Sequence, residues 1–151
     1  LTDENNSPIT GECLMPTRLG STELKSFNYS VWTPTDYNTG KLTGTRLYIP
    51  ITFEKEIDRL TPYLFRAVCQ GRTFEKALIK MYRINEAGIE VEYFNIKLES
   101  VKITRISPVL FPLGFAGRHM EEVEIRYESI EWKYCDGNII FNDTWNGTAV
   151  A

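Results

Sequence analysis

The chain has 151 residues, 42% of them apolar and 25% charged, which is the size and make-up of one globular domain. Its 17 basic and 20 acidic side chains are mixed along the sequence and leave a net charge of −3, which argues against a nucleic-acid binder. No apolar run reaches the roughly 18 residues that a membrane-spanning helix needs. The three cysteines, Cys13, Cys69 and Cys135, lie far apart with no CxxC spacing, so they make no zinc site and read as reduced thiols of a protein folded in the cytoplasm.

Residues 1–20 are rich in Asn, Pro and Gly and read as loop. Residues 23–32 alternate around Phe27, Tyr29 and Val31, the pattern of a half-buried strand. Residues 33–44 (TPTDYNTGKLTG) form a long turn-rich excursion. Residues 46–53 alternate again through Leu47, Ile49, Ile51 and Phe53, with Pro50 requiring an edge or a bulge. Matching the two alternations across a hairpin predicts Phe27, Tyr29 and Val31 on one buried face with Leu47, Ile49, Ile51 and Phe53. Tyr48 is then predicted on the face opposite Tyr29.

Residues 58–71 are the one good helix. Asp58 can accept its first free N–H groups, and Pro62 suits its first turn. Leu60, Leu64, Ala67 and Val68, with Phe65 beside them, make an apolar stripe, and Gly71 is placed to end the helix in a left-handed conformation. Cys69 is expected to be a buried small hydrophobe. Such a helix among strands covers an open face or end of a sheet or barrel.

Residues 74–83 read as the next strand, residues 85–88 as a turn and residues 89–98 as the returning strand, with residues 101–106 continuing it or adding another. Residues 107–118 read as a loop with exposed apolar groups at Val109, Leu110, Phe111, Leu113 and Phe115. Residues 120–134 form the longest strand. Its apolar set changes phase, from Val123, Ile125 and Tyr127 to Ile130, Trp132 and Tyr134, which predicts a β-bulge near Glu128 and Ser129. The tail holds a short apolar run, Ile139, Ile140 and Phe141, before fading into small polar residues.

No catalytic constellation is visible. His119 is the only histidine and has no ligand at metal-binding spacing. GxSxG and glycine-rich phosphate loops are missing from the sequence. Glu121, Glu122, Glu124, Glu128 and Glu131, interleaved with Arg126 and Lys133, read as the solvated face of an alternating strand. From the residues we expect no enzyme, no metal site and no cofactor. Two readings remain, an assembly subunit and a small β-barrel that binds an apolar ligand in its interior.

Three ordered segments carry a resemblance. The first is Ser26-Phe27-Asn28-Tyr29-Ser30-Val31 with Thr33-Pro34-Thr35-Asp36, Thr39-Gly40 and Gly44-Thr45-Arg46. The second is Phe53-Glu54-Lys55-Glu56-Ile57-Asp58 with Thr61-Pro62-Tyr63-Leu64 and Ala67-Val68-Cys69-Gln70-Gly71. The third is the closing strand with Val123, Ile125, Tyr127, Ile130 and Trp132. Together they resemble the haemolysin-coregulated protein (Hcp) family, the tube protein of bacterial type VI secretion. Tyr29 and Tyr48 stand where similar proteins often carry His.

The resemblance implies a mainly β fold: a compact β-barrel of two packed sheets with one flanking α-helix, like a phage tail tube, with residues 1–151 as a single domain. It implies homohexameric rings that stack into a hollow tube, a surrounding sheath, a VgrG-like spike at the tip, and effector proteins carried in the lumen. It implies neither nucleic acid nor membrane insertion, and a chain that is cytoplasmic before firing and extracellular after it. The family's opening strand is expected to be absent or truncated before Leu1, and no C-terminal toxin domain is expected. In the family the extended loop lies between successive rings. Here that loop supplies Thr35, Asp36, Tyr37, Asn38, Lys41 and Leu42 as the candidate ring-stacking residues. Tyr37 and Leu42 serve as apolar anchors among groups that need water or a partner.

Overall fold

The computed structural model describes residues 1–110 and 119–145. Within them the chain forms two compact units, each built on strands. One gathers Leu1–Ile9, Thr73–Val101 and the described residues from Tyr127; the other gathers Thr10–Arg72 and the described part of Lys102–Arg126. Phe111, Leu113 and Phe115, expected in an apolar loop, lie outside the described residues.

In the second unit β1 (Leu24–Asn28) pairs antiparallel with β4 (Ile51–Glu56). β4 pairs with β7 (His119–Arg126), and β7 pairs with the later part of β6 (Glu90–Leu110). A separate two-stranded sheet joins β2 (Val31–Trp32) to β3 (Leu47–Tyr48). Phe27 faces Phe53, as the matched alternations predict. The outer half of that expectation fails. Val31 faces Tyr48 and Trp32 faces Leu47, one residue out of step with the inner pairs, and Val31, Leu47 and Ile49 are exposed. The two predicted strands each break, at residues 29–30 and at Pro50. Pro50 has no N–H to keep the ladder, and the slip there turns every outer side chain to the other face.

The helix α1 (Thr61–Gln70) follows β4. Leu64 and Ala67 are buried, while Phe65 and Cys69 are exposed, so Cys69 is not the core residue expected. Its stripe is narrower than the sequence suggests, because Phe65 and Cys69 share a side of the helix one turn apart, away from Leu64 and Ala67. Gly71 closes it at φ 63°, and the Arg72 N–H reaches back to the Ala67 carbonyl at 3.0 Å.

In the first unit β5 (Thr73–Ile84) turns through residues 85–88 into β6, and β8 (Ser129–Tyr134) and then β9 (Ile139–Thr144) complete the order. β6 is one strand of 21 residues, so the segments 89–98 and 101–106 and the start of the expected loop are a single element. The closing strand, by contrast, is two. β7 and β8 are separated by Tyr127 and Glu128.

The predicted phase change is present but is not a bulge. Glu99 faces Ser129 in the first unit and Lys102 faces Arg126 in the second, pairings that leave the same number of residues on each strand of the break. The buried set shifts on both strands at once: Ile96 and Leu98 give way to Val101 and Ile103, as Tyr127 gives way to Ile130. Ser100 adopts φ 52°, and the Glu128 N–H donates to the Glu99 carbonyl at 3.0 Å. Ser100 is thus a left-handed residue inside β6 at the point where its buried set changes phase. The true bulge falls between Ile103 and Arg105. The tail's apolar run is the strand β9, reached through a turn with Gly137 and Asn138 at positive φ.

Candidate functional site

Two polar constructions stand out, both in the second unit. The first is the tip of the arm between β2 and β3, which the sequence offered as a structureless loop. Thr35 and Leu42 form a β-bridge, and the Thr43 N–H donates to the Pro34 carbonyl at 2.9 Å. At the tip the Asp36 N–H donates to the Lys41 carbonyl and the Gly40 N–H to the Asp36 carbonyl, both at 2.8 Å. The Asp36 carboxylate accepts the N–H groups of Asn38 (2.9 Å) and Thr39 (2.7 Å) and the Thr39 hydroxyl (3.0 Å). These donors hold its pKa below the ordinary value, the Thr39 N–H first. Gly40 takes φ 68°, which closes the turn.

This is an Asp-organised turn whose backbone groups find partners within the arm. Its side chains point elsewhere. Tyr37 is fully exposed and Leu42 is 71% exposed. The structure therefore brings Thr35, Asp36, Tyr37, Asn38, Lys41 and Leu42 into one preformed tip, with two apolar side chains held outward by a scaffold of its own hydrogen bonds.

The second construction was not foreseen. Lys55 and Glu121 are both wholly buried and face one another across β4 and β7. The Lys55 ammonium donates to Asp58 Oδ1 at 2.6 Å, to Glu121 Oε1 at 2.7 Å and to the Glu56 carbonyl at 3.0 Å. Thr61, the first residue of α1, donates its hydroxyl to Glu121 Oε1 at 2.9 Å and accepts the Asp58 N–H at 3.1 Å. Asp58 also accepts the Leu60 N–H at 2.9 Å and the Thr22 hydroxyl at 2.8 Å. Burial alone would raise the Asp58 pKa; Lys55, Thr22 and the Leu60 N–H outweigh it and hold the carboxyl below its ordinary value.

Asp58 does not cap the helix as expected: α1 begins after Leu60 without a side-chain cap, the Asp58 carboxylate takes only the Leu60 N–H ahead of it, and its larger task is to pair a buried lysine. Glu121 does not belong to the solvated face assigned to it. Its neighbours behave as expected only in part: Glu122 binds Arg105, and Glu124 accepts the Thr104 hydroxyl at 2.7 Å. The signal was in the phase. Lys55 continues the alternation of Ile51 and Phe53, and Glu121 continues that of Val123 and Ile125. Two opposite charges in the apolar phase of two strands are the mark of a buried pair.

The cluster ties the start of α1 to two strands, with every Lys55 proton committed to an acceptor. No group of three or more His, Cys, Asp and Glu side chains among the described residues is arranged to hold a metal ion. No helix among them is long and apolar enough to cross a membrane.

Comparison with known proteins decides the family. The family profile of the type VI secretion system effector Hcp matches residues 1–134. The chain belongs to the Hcp family. It is 29% identical over 126 residues to the Major exported protein of Pseudomonas aeruginosa strain PAO1, covering 81% of this chain and 73% of that protein. Its structure is similar to that of the Hcp1 protein of the E. coli EAEC 042 pathovar, with a TM-score of 0.87 and 48% identity over 96% of this chain and 95% of that one. It shares its fold with the secreted protein Hcp3 of Pseudomonas aeruginosa at a TM-score of 0.76 and 22% identity, covering 97% and 95% of the two chains.

The mainly β Hcp fold, with one α-helix among the described residues, is thus shown, and with it the role of a tube subunit of type VI secretion, an exported structural protein.

Proposed function

We propose that this Hcp-family chain acts as one tube domain, that six copies close into a ring, and that rings stack through the arm tip. The carrying observation is the preformed tip itself: an Asp36-centred turn that spends its polar groups internally and presents Tyr37 and Leu42 outward. A preorganised contact loses little conformational entropy on docking, and a ring repeats each modest contact on every subunit, so avidity replaces strength. A VgrG-like spike at the tip, a sheath outside and effector proteins within the lumen complete the assembly that this reading implies. The chain then resides in the bacterial cytoplasm until the tube is fired and outside the cell afterwards.

Light scattering on the purified protein and negative-stain images test the ring: six-fold particles are expected, and a monomer at micromolar concentration would overturn it. The stacking role is tested separately by the double variant Tyr37→Ser/Leu42→Ser. Rings should persist, because the tip is reserved for stacking, while tube formation and secretion are lost. Secretion at the normal level would remove the tip from this role.

A further inference from the structure

The arm between β2 and β3 is cross-braced from its stem to its tip. Val31 and Trp32 pair with Tyr48 and Leu47, Thr35 bridges Leu42, and the Arg46 guanidinium lies 5.9 Å from the centre of the Tyr48 ring. The Asp36 turn closes the far end. The root of the arm is built differently. Between the pair Asn28–Thr52 and the pair Val31–Tyr48, one strand carries residues 29–30 and the other residues 49–51. Two residues face three, and the sheet does not run through: β2 and β3 form a sheet of their own. The Ile49 N–H donates to the Ser30 carbonyl at 3.0 Å, and no other backbone hydrogen bond joins residues 29–30 to residues 49–50 among the described residues.

An extra residue does not by itself cut a sheet. β1 and β4 meet the same mismatch between Leu24 and Ser26 and continue through it. There Lys55, opposite Leu24, is wholly buried and its ammonium is fixed by Asp58 and Glu121. The root has no such anchor. None of the residues 29–50 is buried, Ile49 is 47% exposed, and Pro50 has no N–H with which to add a rung. A single exposed hydrogen bond competes with water at little net advantage. Few buried contacts and a solvent-exposed backbone bond mark a segment of low local stability.

We infer that residues 29–30 and 49–50 are a hinge on which the arm swings as one piece, a stiff tip carried on a compliant root. This rests on the stacking reading and deepens it: the tip is preorganised, and its placement is not. A ring repeats the arm on every subunit, and avidity is lost wherever geometry keeps the repeated contacts from engaging together. A compliant root lets each tip seat without distorting either the Asp36 turn or the sheet. The freedom given up on docking is then that of one joint rather than of a whole loop.

The test reads the spread of distances between two spin labels on the folded protein, with Cys13, Cys69 and Cys135 replaced by Ser. Labels at Asn38→Cys and Arg66→Cys span the hinge; labels at Ser26→Cys and Arg66→Cys do not. Before assembly, the first pair should give a distinctly broader distribution than the second, and the backbone amides of residues 31–48 should share lowered order parameters. Deleting Ile49 sets two residues against two, so the first distribution should narrow to the width of the second. Equal widths without the deletion overturn the hinge even if the deletion variant fails to fold, and so does a folded deletion variant that stays broad. In assembled tubes the broad distribution should collapse to one narrow peak. A distribution that stays broad in tubes overturns the stacking role of the arm and leaves the hinge standing; one that is narrow both before and after assembly does the reverse.

Discussion

The arm tip and the buried cluster solve opposite problems with the same chemistry. In each an aspartate organises a short turn by accepting backbone N–H groups: Asp36 takes two, those of Asn38 and Thr39, and Asp58 takes one, that of Leu60. Around Asp58 the remaining acceptors turn inward to Lys55 and Thr22, and the apolar side chains nearby, Leu64 and Ile51, are buried. Around Asp36 the polar groups likewise close on themselves, yet Tyr37 and Leu42 are left in water. The difference separates a construction that serves the subunit from one that serves its neighbours. Buried carboxylates gathered on one ammonium make a fixed support; exposed apolar groups on a rigid polar scaffold make a contact that waits for another chain.

If that contrast is right, damage to the cluster should cost the fold and damage to the tip should not. The largest effect belongs to Lys55→Met. It leaves Asp58 and Glu121 as two buried carboxylates without their cation, and removing one partner of a buried pair costs about 3–5 kcal/mol. Urea unfolding of the variant should show the loss in its midpoint. The double variant Lys55→Met/Glu121→Leu should recover part of it, since an apolar replacement of both partners removes one stranded charge, but not all, since Asp58 remains. A Lys55→Met protein as stable as the wild type would mean that the cluster carries no net energy.

A smaller effect follows from pH. The Asp58 carboxyl is held below its ordinary value of 3.8 in the folded chain. A depressed carboxyl contributes stability that is fully present above the unfolded value and is lost as pH falls through the folded one. The wild type should therefore keep this contribution near neutrality and lose it progressively below about pH 4. Asp58→Asn should be less stable at pH 7 and show a flatter decline in acid. Parallel acid-unfolding curves for the two proteins would assign the acid sensitivity to other groups.

Much of this was legible from the sequence, for reasons that particular residues display. The helix, its Gly71 end and the strand residues 74–83 depend on local pattern and turn chemistry, which a sequence carries in full. The Phe27–Phe53 pairing was legible because one buried face fixes its register. The pairing of Val31 with Tyr48 was not, because the outer strands bury neither face and nothing there penalises a one-residue slip. Ser100 hid the change of phase in β6: a left-handed serine inside a strand has no compositional signature, unlike glycine. The cluster was hidden by a habit of reading charge as solvent-facing. Lys55 and Glu121 each sit in an apolar phase, but only their opposition across β4 and β7, a tertiary fact, makes burial affordable. The arm residues were found, while their order was not, since Asp36 organises the tip through contacts two to five residues away that any polar loop could have offered.

The smallest expected effect is the most discriminating for the contrast, and it falls on Asp36. Asp36→Ala removes the acceptor for two N–H groups and a hydroxyl at the tip, all of which water can replace because the tip is exposed. Global stability, measured by urea unfolding, should therefore be unchanged, while the amides of Asn38 and Thr39 exchange faster than in the wild type. Acid should produce the same loosening in the wild-type arm, because the Asp36 carboxyl is depressed by those donors and releases them as pH falls through its folded value. The variant should form rings normally but stack them less well, since Tyr37 and Leu42 are present and only their preorganisation is lost, and preorganisation is worth affinity. Full stacking by Asp36→Ala would show that the two apolar side chains suffice without the scaffold. A fall in global stability instead would show that the tip supports the subunit after all, and the division between an inward support and an outward contact would fail at its cheapest test.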